Sequence, residues 1–143
     1  MLDDIKKRVY DANINLYNSK LVIFTWGNVS ERYEDYIIIK PSGVDYEKMK
    51  TSDMVVLDIN GNIVNGKLNP SSDTLTHIEL YKAFPEIRGV CHTHSSYATS
   101  FAQSGKPIEA LGTTHADYFY GDVPCTRELT KEETETEYEK NTG

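Results

Sequence analysis

No uninterrupted apolar run in this chain of 143 residues is longer than four residues; the longest are residues 21–24, 36–39 and 54–57. Runs of that length, rich in β-branched and aromatic residues and bounded by turn formers, predict short strands. They fall far below the ~20 residues that cross a bilayer, so no membrane partner is expected. The third run is followed by Asn60-Gly61 and then Ile63-Val64, a two-residue hairpin signal that predicts antiparallel pairing. Leu2, Ile5, Val9, Ala12 and Leu16 recur at helical spacing and predict an amphipathic helix ending near Asn18. Leu75, Ile78, Tyr81 and Phe84 trace a second helix that Pro85 ends, and residues 88–93 return as a strand. Ser95 can cap a third helix with Ala98, Phe101 and Ala102 inward and Gly105 as its stop. Helices alternating with hairpin strands predict an α/β layered sandwich, with a central, mostly antiparallel sheet flanked by helices.

The net charge is −7, and residues 128–140 carry −4 of it as six Glu against two Lys. A chain without a basic face is a poor nucleic-acid binder, and none is expected as a partner. The first eight residues hold Asp3, Asp4, Lys6, Lys7 and Arg8, which is no secretory leader, so a cytoplasmic location with Cys91 and Cys125 as reduced thiols is expected. Thr130-Lys131-Glu132-Glu133 reads as a capping box opening a helix. Only Tyr138 follows as an apolar anchor, so residues 134–143 are either a frayed acidic tail or the start of further structure. Residues 1–143 are expected to form the N-terminal portion of a single domain.

Five segments carry candidate chemistry. His92 and His94 stand at i and i+2 at a strand end, on one face and ~6.5 Å apart along the backbone, so both imidazoles can converge on a metal. Ser71, Ser72 and Asp73 precede a helix, where hydroxyls and N-terminal amides make an anion site or, more plainly, an N-cap. Lys40-Pro41-Ser42-Gly43 is a sharp turn after a strand, and Thr25-Trp26-Gly27-Asn28 is a polar loop; these three loops could meet at one sheet edge. In residues 112–121, His115 and Asp117 would share a face if the segment is extended, leaving Asp117 free to act as a base.

Taken together and in order, residues 24–30, 39–46, 70–77, 90–95 and 112–121 resemble the class II aldolase and sugar-phosphate epimerase family over essentially the whole chain. The aldolases of that family place a Glu that acts as catalytic base where this chain has Asp73, and the epimerases an Asp, so the resemblance implies a catalytic role for Asp73. The resemblance implies epimerisation of L-ribulose 5-phosphate at carbon 4 to D-xylulose 5-phosphate by retro-aldol and aldol steps, in pentose (arabinose) catabolism. It implies a divalent metal, zinc by preference, on His92 and His94 with Asp73 beside or on it. It implies a phosphate held by Gly27, Asn28, Lys40, Ser42, Gly43, Ser71 and Ser72, and proton exchange by Asp117. It also implies a homotetramer. Family members continue past this length, where a third metal histidine and a tyrosine acid/base are expected; within these residues His115 is the candidate stand-in. The alternatives are a related ketose-phosphate aldolase or dehydratase, or a metal- and sugar-phosphate-binding remnant without turnover.

Overall fold

The structure is a computed structural model describing residues 1–143. Helix α1 (Leu2–Asn18) buries Ile5, Val9 and Leu16 along one stripe, as the sequence period requires. Strands β1 (Asn28–Tyr33), β2 (Tyr36–Ile39), β3 (Val55–Asp58), β4 (Ile63–Asn65) and β5 (Gly89–His92) form one sheet in the order β4-β3-β2-β1-β5, every pair antiparallel. The β2–β3 register pairs Ile37 with Leu57, Ile38 with Val56 and Ile39 with Val55. Alternation then sends Ile38 and Val56 into the cluster built on α1, while Ile37 meets Ile78 and Tyr81 of α2 (Thr74–Ala83). Because both faces are covered, the central strands read as continuous apolar runs rather than alternating ones. The expected α/β sandwich is the observed one.

The run at residues 21–24 is not a strand. Leu21, Ile23 and Phe24 are exposed and only Val22 is buried, and Lys20 and Phe24 sit at φ 57° and 54°, left-handed conformations that end extension. The strand starts instead at Asn28, in a polar stretch whose buried side chains Asn28 and Ser30 bond to Ser71, His77 and Tyr81, with Asn28 Oδ1 left unpaired. Asn13 of α1 donates to the Val29 carbonyl (3.0 Å) and accepts from the Val29 N–H (2.9 Å). Tertiary hydrogen bonding here overrides the low apolar content that made these residues read as a loop. On α2 the buried face is Thr74, His77, Ile78 and Tyr81, whereas Leu75 and Phe84 are exposed.

Ser95 caps α3 (Ser96–Gln103) as expected, accepting from the Ala98 N–H at 3.3 Å. Its supposed inward residues Ala98, Phe101 and Ala102 are all exposed, because no element covers that face. Residues 113–118 are helical rather than extended (α4, Thr113–Tyr118), and Leu111, Tyr118 and Tyr120 around it stand in solvent. The capping box opens α5 (Lys131–Glu135). The segment then breaks at Thr136, and α6 (Tyr138–Thr142) returns onto α2, where Thr76 Oγ1 donates to the Glu139 carbonyl (2.5 Å). Residues 131–142 form two short helices in place of one, and hydrogen bonding to α2 supplies an anchor that the apolar content does not.

Candidate active site

The loop after α1, the turn after β2 and the loop before α2 do meet, at the end of β1. Gly27, Asn28, Lys40, Ser42, Gly43, Ser71 and Ser72, dispersed over 46 positions, line one cavity of about 420 Å³ that ends on Asp73 and His94. Gly27, Asn28, Lys40 and Ser71 are buried at its floor, with Ser42, Gly43 and Ser72 exposed at its rim. Lys40 is 2% exposed; its Nζ donates to the carbonyls of Thr25 (2.8 Å) and Pro41 (3.3 Å), leaving one of its three N–H groups for a ligand. Burial pulls the Lys40 pKa down, with the Asp73 carboxylate opposing that fall. The Ser42 and Ser71 backbone N–H groups are taken by the Asn69 and Lys40 carbonyls. The amides of Gly43 and Ser72 have no backbone partner, so they, with the rim hydroxyls, are the donors left for an oxyanion. Gly43 holds φ +67° with open space where a Cβ would stand, a backbone shape that leaves room for a ligand.

At the cavity's inner end, His92 Nδ1 lies 2.9 Å from Asp73 Oδ2, which also accepts from Asn28 Nδ2 (2.5 Å). The bond from His92, with a smaller one from Asn28, holds the Asp73 carboxyl below its usual range, and the same bond raises the His92 pKa. The rings of His92 and His94 stack at 4.8 Å between centroids, so the i, i+2 pair does share a face. This donor set fits half of a divalent-metal site: a carboxylate on one ring nitrogen orients the imidazole and leaves the other nitrogen as a lone pair. Asp73, His92 and His94 do not form a three-donor group of metal-holding geometry in this structure, and Asp73 Oδ2 accepts from Asn28 and pairs with His92 while Oδ1 takes no hydrogen bond.

Asp117 and His115 are not brought to this place. They sit on α4, where i, i+2 residues diverge, and neither lines the cavities around His92 and Asp73. His115 Nε2 pairs with the Gly121 carbonyl at 2.8 Å. What the sequence reading missed is a buried network below Asp73. Ser30 Oγ meets His77 Nδ1 (2.7 Å) and Tyr81 Oη (2.8 Å), and burial lowers the His77 pKa to about 4. The available signal was spacing: His77 lies one helical turn after Asp73, and Tyr81 one turn after His77.

The family model of the class II aldolase and adducin N-terminal domain matches residues 7–142. The chain belongs to this family. Relatives of this class II aldolase-family chain include the L-ribulose-5-phosphate 4-epimerase UlaF of Salmonella paratyphi B and that of Salmonella typhi. Each is 56% identical over 99% of this chain and 63% of its own length. The chain thus spans under two thirds of these curated relatives. Among solved structures, an L-fuculose 1-phosphate aldolase superimposes with a TM-score of 0.80 at 33% identity, covering 89% of this chain and 60% of its own. The L-fuculose-1-phosphate aldolase of Thermus thermophilus shares the fold at a TM-score of 0.74 and 22% identity, covering 92% of this chain and 67% of its own. No helix is long and apolar enough to cross a membrane.

Proposed function

We propose that this chain carries the sugar-phosphate half of an L-ribulose-5-phosphate 4-epimerase site, with His92 and His94 as zinc ligands and Asp73 orienting His92. The observation that carries this reading is the continuity of one cavity from the donors at Gly43, Ser72 and Lys40 to His94 and Asp73. A ketose phosphate bound there has its dianion among hydroxyls, free amides and one buried cation, and its carbonyl end beside the histidines. A divalent metal on the two imidazoles would supply Lewis-acid stabilisation of charge on the ketose oxygens.

The chain's own residues do the rest. The phosphate pocket holds the glycolaldehyde phosphate half in place after the bond between carbons 3 and 4 breaks, so that it turns its aldehyde face and re-adds instead of leaving. Asp73, ionised and fixed by His92 and Asn28, keeps the imidazole aligned. Asp117 is assigned the exchange of the carbon-4 hydroxyl proton in a homotetramer that brings α4 to a cavity, with residues 1–143 acting as the N-terminal portion of one domain in a cytoplasmic enzyme. The 56% identity to the epimerases supports this assignment.

The 33% identity and 0.80 TM-score to the aldolase favour a second reading, net cleavage of a ketose phosphate. Incubating L-ribulose 5-phosphate with the zinc-loaded protein and following carbon-13 spectra separates the two. D-Xylulose 5-phosphate without free aldehyde supports epimerisation; accumulating glycolaldehyde phosphate supports the aldolase reading.

A further inference from the structure

Three successive carbonyls of the loop before β1 are held by two side chains from the segment after β2. Lys40 Nζ donates to the Thr25 carbonyl at 2.8 Å, and the single proton of the Tyr46 hydroxyl has the Gly27 (2.9 Å) and Trp26 (3.1 Å) carbonyls as acceptors. The two side chains also meet each other: Lys40 Nζ lies over the Tyr46 ring, 5.0 Å from its centroid. Both are buried, at 2% exposure each. Tyr17 of α1 stacks on that ring at 5.1 Å and 7°, which fixes its plane.

Packing in the cluster on α1 explains a buried tyrosine, but not this arrangement. A buried ammonium has lost its water and needs other partners. The bonds that Lys40 makes are to the neutral carbonyls of Thr25 and Pro41, with no carboxylate among them. An aromatic face within about 6 Å attracts a cation, and more strongly where both are desolvated. At 5.0 Å the contact is between charge and ring rather than an N–H bond into the ring, so the third N–H of Lys40 stays free for the cavity. Burial pushes the Tyr46 pKa up to about 12, which keeps its hydroxyl a donor to the loop at neutral pH.

We propose that Tyr46 is a positioning residue for phosphate recognition: its ring holds the Lys40 ammonium and its hydroxyl ties the Trp26 and Gly27 carbonyls, so one side chain sets the cation and the loop leading into Asn28 against each other. The purpose rests on the proposed role of Lys40 in holding the phosphate, and the contact itself is tested without ligand or metal.

Proton–carbon correlation on protein labelled with carbon-13 lysine reads the contact, with Lys40→Met assigning the signal. The ring current of Tyr46 is expected to set the Lys40 ε-protons upfield of the exposed lysines, a shift kept in Tyr46→Phe and lost in Tyr46→Leu. Tyr46→Phe keeps the ring and removes the hydroxyl, so amide exchange across residues 25–28 is expected to quicken. Calorimetry with L-ribulose 5-phosphate then separates positioning from packing. Lys40→Met and Tyr46→Leu are each expected to weaken binding about tenfold or more, and the double variant by less than the product of the two losses, because both act through one ammonium. A double loss equal to that product overturns the proposal. So do wild-type Lys40 ε-protons among the exposed lysines, or loop exchange unchanged in Tyr46→Phe; these two spectra decide even if Tyr46→Leu does not fold. Full affinity in Lys40→Met contradicts the phosphate role of Lys40 itself, whereas an absent shift with affinity lost in Lys40→Met leaves that role standing and overturns Tyr46 alone.

Discussion

His92 and Asp73 meet across the α2–β5 junction with Nδ1 2.9 Å from Oδ2, and each holds the other in its charged form. The bond lowers the Asp73 pKa and raises that of His92. The raised His92 value contributes stability that is complete below its ordinary value of 6.5 and is lost as pH rises through the folded value. The lowered Asp73 value contributes stability present above 3.8 and lost as pH falls through its folded value. Thermal unfolding of wild type against His92→Gln is therefore expected to differ most between these two values, with the gap narrowing at higher and lower pH.

Zinc needs the lone pair that protonation removes. His92→Ala and His94→Ala are each expected to abolish stoichiometric zinc uptake, and Asp73→Asn to weaken it about 10- to 100-fold. Competition with a chromophoric chelator measures all three. Since the pair favours protonated His92, uptake by wild type is expected to fall with decreasing pH at a higher pH than for an isolated histidine.

Phosphate recognition is expected to depend on side chains that the fold does not otherwise need. Ser42 and Ser72 are exposed at the rim, so Ser42→Ala with Ser72→Ala leaves stability within about 0.5 kcal/mol. Calorimetry should show binding of L-ribulose 5-phosphate weakened at least tenfold and binding of L-ribulose unchanged. Equal loss for both ligands would place the phosphate elsewhere.

Gly27 fixes the floor of the same cavity. It holds φ +70°, and an added Cβ would overlap Val22 Cγ1 and approach the His92 carbonyl oxygen to 2.9 Å. Gly27→Ala is expected to cost about 1–3 kcal/mol from the strained backbone, read as a lowered denaturant midpoint. The push against His92 should also weaken zinc uptake.

The layered sheet was legible because its signals are local. Residues 36–39 and 54–57 are apolar on both faces, and Asn60-Gly61 sets the hairpin between β3 and β4. Strand β1 was not, because Asn28 and Ser30 are held by partners 43 to 51 positions away, Ser71, His77 and Tyr81. The cavity proposed to hold the phosphate was legible as three loops of hydroxyls, glycines and one lysine. The amides that remain free within it were not, since that depends on the Ser42–Asn69 and Ser71–Lys40 bonds. Asp117 read as a partner of His115 only under an extended backbone; on a helix, i and i+2 residues point to different faces.

The proposed function depends on one sugar phosphate joining the donors around Lys40 to a metal on His92 and His94. Isothermal titration of L-ribulose 5-phosphate into the protein with and without one equivalent of zinc decides whether it does, with inorganic phosphate as the comparison. Zinc is expected to tighten the sugar phosphate at least tenfold and to leave inorganic phosphate unchanged. Equal affinity for L-ribulose 5-phosphate with and without bound zinc would contradict that arrangement.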